Sequence, residues 1–236
     1  GANKYHWSMI AKFLTPHFTL YIPDIPGFGE STQDTAAVYT GAEQVNRLRE
    51  FIHAVGLDKV HIGGNSMGGY LAALYTSRYG SEVESLWLLA PAGVLSADPS
   101  ELTTLLDEGD NPLLVEDRAS YDRLVGMCFT KAPYTPGPFK RCICVESIEN
   151  RNFHAKLFED LMSDPTALEE VLSGSKVPTL ITWGDEDRIL HPSGGPLLAA
   201  AMQNATAQIM KKMGHVPMLE RPRETGAQFL TFHRSH

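Results

Sequence analysis

Lys59-Val-His-Ile-Gly-Gly-Asn-Ser-Met-Gly-Gly-Tyr70 is the stretch on which the fold turns. Lys59 to Ile62 is strand-like, Tyr70 to Tyr79 has helical composition, and a glycine-rich run joins them without a linker. Within that run, Gly64-Asn-Ser-Met-Gly68 matches G-x-S-x-G in the one setting that gives the pattern meaning, directly after a strand and directly before a helix. So sharp a reversal crowds the backbone and calls for small residues beside the serine, which Gly64, Gly68 and Gly69 supply. The turn is expected to lift the Ser66 hydroxyl above the carboxyl edge of a sheet. The Met67 amide, at the helix N-terminus, would face any negative oxygen formed there. The bland alternative is a glycine-rich turn with a capping serine.

The pattern on either side extends this unit. Phe18-Thr-Leu-Tyr-Ile22 reads as a buried strand feeding the turn Pro23-Asp-Ile-Pro-Gly-Phe-Gly29. From Ala36 to Val55, apolar residues recur at three- and four-residue steps, an amphipathic helix stopped by Gly56. Val83 to Leu89 and Val177 to Trp183 are continuous apolar strands, and a further strand lies near Ala207 to Met210. Helices are expected over Pro196 to Met202 and Glu224 to Phe232. Strands alternating with helices give an α/β fold with a mostly parallel sheet covered on both faces. The alternation fails from 95 to 175, a segment of about 80 residues where ordinary connections run about 2 to 6. That segment is expected to be a helical cap or lid, leaving 1–94 and 176–236 as the core. Its apolar residues Leu102, Leu105, Leu106, Leu113, Leu114, Val125, Met127 and Phe129 either suit an acyl chain or form the cap's own core.

Composition narrows the function. The chain has 236 residues, with 20 Lys plus Arg against 28 Asp plus Glu and a formal net charge of −8. No basic face for nucleic acid is expected from that balance. No apolar run approaches the roughly 20 residues of a membrane-spanning helix. Three cysteines make neither a disulfide framework nor a zinc site and are expected to be small buried apolar residues. The chain opens at Gly1-Ala-Asn-Lys4 with no targeting pattern, so any export or anchoring signal is expected upstream of Gly1.

A serine hydroxyl is a poor nucleophile at neutral pH and needs a histidine base held by a carboxylate. His215, in Met213-Gly-His-Val-Pro217, follows the last expected strand and precedes the last helix. His53 and His61 fall on helix and strand patterns, and His233 and His236 in the tail. The carboxylate should follow the nucleophile and precede the histidine, at the end of another strand. Ala90-Pro-Ala92 offers none, whereas Gly184-Asp-Glu-Asp187 offers Asp185, Glu186 and Asp187.

Four stretches, Pro26-Gly-Phe-Gly-Glu-Ser31, Gly64-Asn-Ser-Met-Gly-Gly69, Trp183-Gly-Asp-Glu-Asp-Arg188 and Gly214-His-Val-Pro-Met-Leu-Glu-Arg-Pro222, together resemble the α/β-hydrolase superfamily in order and spacing. The resemblance covers essentially the whole chain. It implies the α/β-hydrolase fold with a helical cap inserted after the sixth strand, and it puts the carboxylate on Asp187. The implied triad is Ser66, Asp187 and His215, with Met67 as one oxyanion donor. Asn150-Arg-Asn-Phe-His-Ala-Lys-Leu-Phe158 and the Met218–Pro222 run are similar to monoacylglycerol-type lipases and bacterial lipase relatives. The expected activity is therefore that of a serine lipase or esterase, with no metal or organic cofactor. Its expected partners are a small-molecule lipid ester and, with it, peripheral contact with a membrane or lipid interface, and no nucleic acid.

The departure is at the start. Gly1-Ala-Asn-Lys-Tyr-His-Trp7 resembles the residues immediately after the family's His-Gly oxyanion strand, whose place in the sheet is between the strands ending at Ile22 and Ile62. The expectation is a gap one strand wide there, with the second oxyanion donor upstream of Gly1. Two rival activities share parts of the pattern. Carbon–carbon bond hydrolases of ring-cleavage diketones share the elbow and triad but usually carry Trp where this chain has Val216. Non-catalytic hydrolase relatives generally lose a triad member, and all three candidates are present here.

Overall fold

In the computed structural model, which describes residues 3–236, four strands form one sheet: β1 (Val60–Ser66), β2 (Val83–Pro91), β3 (Thr179–Gly184) and β4 (Ala205–Met210). They lie in the order β1-β2-β3-β4, and every pairing is parallel. Parallel pairing forces each connection to cross over the sheet, and the helices make those crossings. Before β1 come α1 (Ser8–Leu14) and α2 (Gly41–Ala54). Then α3 (Met67–Tyr79) joins β1 to β2, α9 (Gly194–Ala201) joins β3 to β4, and α10 (Pro217–Glu220) and α11 (Pro222–Arg234) close the chain. Between β2 and β3 lie α4 (Glu101–Asp107), α5 (Arg118–Cys128), α6 (Gly137–Glu149), α7 (Arg151–Met162) and α8 (Leu168–Val171).

The two faces of the sheet can be read from the alternation in β2. Leu86, Leu88 and Ala90 point into one core with Val45 and Ile52 of α2, Leu71 and Leu74 of α3, and Leu198 of α9. Trp87 and Leu89 point the other way, onto Ile10 and Leu14 of α1 and Phe229 and Phe232 of α11. The Trp87 ring stacks on Phe229 with centroids 4.5 Å apart. A strand apolar on both faces belongs in the middle of a covered parallel sheet, and β2 is fully buried along most of its length.

Two local expectations need correction. Phe18 to Ile22 is neither a strand nor buried: it forms no ladder, and Thr19 and Tyr21 are exposed. The reason is its distance from any partner. A cavity of about 550 Å³ lies against both Phe18–Ile25 and residues Val60–Asn65 of β1, lined by Leu20, Ile22, Ile62, Leu71 and Trp87 among others. On its cavity side β1 has no strand partner among the described residues, and His61 and Gly63 are exposed there. The second correction concerns the cysteines. Cys144 is buried and Cys128 partly so, but Cys142 is exposed, because it sits on the outer side of α6.

Between 95 and 175, five helices and no strand are found among the described residues. Leu102 and Met127 close over Ile189 with Leu105, Leu106 and Leu113 packed around them, and Val125 joins a second cluster with Val115, Tyr121 and Cys144. The first cluster packs the insert onto the loop after β3, and the second lies within the insert. Its last turn behaves differently, since Leu168 and Leu172 are buried in the main core beside α3. The amphipathic helix expected from Ala36 begins at Gly41, where Thr40 caps it by accepting from the Glu43 amide.

Candidate active site

All three sequence-derived site residues lie at the carboxyl edge of the sheet, where parallel topology gathers the loops that follow the strands. Ser66 is the last residue of β1 and Met67 the first of α3. Ser66 adopts φ 54° and ψ −120°, a region that costs a non-glycine residue on the order of 1–3 kcal/mol. The surroundings enforce it. A Cβ on Gly64 would stand 2.2 Å from the carbonyl carbon and oxygen of Gly68, so strand and helix can meet this closely only through glycine. A Cβ on Gly69 would lie 3.0 Å from Pro91, whereas one on Gly68 would meet nothing within 4 Å. Gly68 therefore contributes its backbone to the elbow, and its lack of a side chain is not what the turn requires, contrary to the sequence expectation.

Asp187 and His215 are joined directly. His215 Nδ1 lies 2.8 Å from Asp187 Oδ2, and the two side chains are 6% and 0% exposed. A carboxylate only accepts, so Nδ1 carries the proton and Nε2 keeps a lone pair free to act as a base. The other contacts of Asp187 complete its satisfaction. The Trp183 indole N–H donates to Oδ2 at 3.0 Å, and the amides of Ile189 and Leu190 donate to Oδ1 at 2.9 and 3.0 Å. A buried charge without such partners would be prohibitively costly. Asp185, the alternative carboxylate, is half-buried and faces Lys211 at 3.4 Å, and Glu186 accepts from the Thr130 hydroxyl at 3.0 Å.

The backbone holds the two loops together. A Cβ on Gly184 would lie 2.2 Å from the Met213 carbonyl oxygen, and one on Gly214 would lie 2.5 Å from the Cys128 carbonyl oxygen. Glu186 N–H donates to Met213 O, and His215 N–H donates to Cys128 O at 2.8 Å. The elbow is tied to the same loop through Asn65, whose amide group donates to the carbonyl oxygens of His215 at 3.0 Å and Leu89 at 2.9 Å. Thus the residue before Ser66 is tied to the loop that carries the His215–Asp187 pair.

Sequence reasoning missed three groups here: Trp183 and Asn65, and Glu220, whose carboxylate accepts from the amides of Gly214, Thr130 and Lys131. Each lies inside a stretch already singled out, so proximity to the motif was the available signal. Burial, and secondarily the Asp187 charge, pushes the Cys128 thiol up to about 12, so it stays protonated beside the site. Among the described residues there is no group of three or more His, Cys, Asp and Glu side chains arranged to hold a metal. Gly1 and Ala2 of the stretch that resembles the oxyanion region lie outside the described residues.

Comparison with known proteins identifies the chain's relatives. A family model described as alpha/beta hydrolase fold matches residues 1–222. Lipase 1 of Psychrobacter immobilis is 36% identical over 98% of this chain and 74% of its own length. Monoacylglycerol lipase ABHD6 of Homo sapiens is 29% identical over 98% of this chain and 72% of its own. A solved structure, described as a membrane phospholipase A and bacterial virulence factor, superposes with a TM-score of 0.94 at 37% identity, covering 100% of this chain and 76% of that one. With a family model over residues 1–222 and a relative 36% identical over most of both chains, the chain belongs to the alpha/beta hydrolase fold family.

Proposed function

We propose that this hydrolase is a lipase or esterase that cleaves acylglycerols or other lipid esters through an acyl-enzyme on Ser66. The observation that carries the reading is the buried, hydrogen-bonded His215–Asp187 pair, whose loop is tied to Asn65 beside the strained serine. The names of the relatives support the same chemistry, since each is a lipase or phospholipase.

In this mechanism Ser66 Oγ attacks the ester carbonyl while His215 Nε2 takes its proton. Asp187 fixes the imidazole tautomer and stabilises the imidazolium, and the Met67 amide receives the developing oxyanion. His215 then protonates the leaving alcohol, and water, activated by the same nitrogen, releases the acid. The second oxyanion donor of this scheme would come from a further strand seated in the cavity between β1 and Phe18–Ile25, which would also pair the free edge of β1. The helical insert 95–175 would act as the cap that selects the substrate, over a core of 1–94 and 176–236.

Replacing Ser66 with Ala is expected to lower turnover of a fatty-acyl ester on the order of 10⁴-fold or more with the fold retained. Near-native turnover in that variant would refute the assignment. A chain-length series on glycerol and nitrophenyl esters tests the substrate class, and a preference for acetyl or charged acids over fatty acyl groups would count against it.

A further inference from the structure

Trp183 is the penultimate residue of β3, and its ring belongs to the main core with Ile181 and Leu198, only 1% exposed. The neighbouring helix makes way for it. A Cβ on Gly194, the first residue of α9, would lie 2.8 Å from Trp183 Cη2, so the helix begins on a residue without a side chain where the ring passes. Phenylalanine or leucine would fill an apolar core equally well, whereas an indole adds an N–H that must find an acceptor. The indole of Trp87, on β2, finds the neutral Thr182 hydroxyl at 3.1 Å. That of Trp183 finds the buried charge of the site.

Trp183 Nε1–H donates to Asp187 Oδ2 at 3.0 Å and to the Leu190 carbonyl oxygen at 3.1 Å. The same Oδ2 accepts from His215 Nδ1 at 2.8 Å, while Oδ1 takes the amides of Ile189 and Leu190 from its own loop. Two N–H groups from different elements therefore divide one oxygen between them. A hydrogen bond to the charged form of a carboxylate stabilises that form and makes it a weaker acceptor for any other proton. The indole thus limits the pull of Asp187 on the imidazole. This matters in the second half of acylation. His215 Nε2 holds the proton taken from Ser66 and must give it to the departing alcohol oxygen as the carbon–oxygen bond of the ester breaks. A carboxylate that held the imidazolium too tightly would slow that transfer.

We infer that Trp183 is a positioning residue that acts through Asp187: its indole N–H shares Oδ2 with His215 and leaves the imidazolium able to protonate the leaving alcohol. The inference rests on the ester-hydrolase reading for its consequence, while the sharing of Oδ2 can be tested without turnover.

The test compares the full chain with its Trp183→Phe variant, which keeps an aromatic ring and removes the donor. The ratio kcat/KM reports the steps through departure of the alcohol. Nitrophenolate leaves without taking a proton, whereas glycerol leaves only as it takes one. The variant is expected to lose about tenfold more kcat/KM on a glycerol ester than on a nitrophenyl ester of the same acid. Leu198→Ala, which removes packing from the same core and touches no donor, is expected to lower both alike. In proton NMR, the low-field resonance of His215 Nδ1–H is expected to move further downfield in Trp183→Phe, because Oδ2 then serves one donor. A second measurement stands should that variant fail to fold. The Trp183 indole resonance, assigned through Trp7→Phe and Trp87→Phe, is expected to move when His215→Ala leaves Oδ2 to it alone, and those of Trp7 and Trp87 to stay. Equal losses on the two esters, an unmoved low-field resonance, or a Trp183 indole signal indifferent to His215→Ala would overturn the proposal. A parent that hydrolyses neither ester would remove the hydrolase reading instead, and the two resonances would then decide the sharing of Oδ2 by themselves.

Discussion

Asp187 shows how much of the site's behaviour is set by hydrogen-bond donors. Its carboxylate is shielded from solvent and takes donors at both oxygens, so it stays an acceptor and fixes which nitrogen of His215 is protonated. The family resemblance pointed to the residue, but the Trp183 indole that holds Oδ2 became visible only in three dimensions. Nearby, Cys128 illustrates the opposite effect, since burial beside that negative charge keeps its thiol neutral up to about 12. The thiolate is the reactive form, so the folded protein is expected to resist alkylation at Cys128 and also at buried Cys144, while exposed Cys142 reacts. Iodoacetamide at mildly alkaline pH followed by peptide mass mapping should find a single modified cysteine, Cys142, and labelling of Cys128 at a comparable rate would contradict this. That Cys142 would be the exposed one was not legible from its neighbours, because both Cys142 and Cys144 sit in the same apolar run and only the facing of α6 separates them.

At the scale of elements, the elbow divides its glycines into two kinds. Gly64 is pressed against the Gly68 backbone, so Gly64→Ala must push strand and helix apart and is expected to cost more than about 3 kcal/mol and to abolish activity. Gly68→Ala adds a methyl to open space inside a helix and is expected to be neutral or to stabilise by about 0.5–1 kcal/mol. Thermal melting of both variants separates the cases, and equal effects would contradict the geometry. The elbow and the strands β2 and β3 were legible in the sequence because their signals are local: a mostly apolar run, a glycine cluster, and helical composition immediately after it. The strand expected at Phe18 to Ile22 was not, because a strand is defined by its partner and the composition of the segment says nothing of what lies beside it. The starting point of α2 was likewise set by the Thr40 cap rather than by the longer apolar pattern.

For the molecule as a whole, a fully parallel sheet explains why Ser66 and the loops carrying Asp187 and His215 lie at the same edge: every strand delivers its loop there. The same sheet has unequal sides. Flanked β2 is expected to hold its amides against hydrogen exchange. In the 236-residue chain alone, with no further strand seated in the cavity beside Phe18–Ile25, alternate amides of β1 facing that cavity are expected to exchange faster by orders of magnitude. Exchange mass spectrometry over Val60–Gly64 and Leu86–Ala90 compares them, and equal protection would contradict an open edge. The central claim is that the Ser66 hydroxyl is activated by His215 held on Asp187, and reaction with a fluorophosphonate probe tests it most directly. One adduct located on Ser66, formed far more slowly after His215→Gln, is the predicted result. No adduct, an adduct elsewhere, or an unchanged rate in His215→Gln would contradict it.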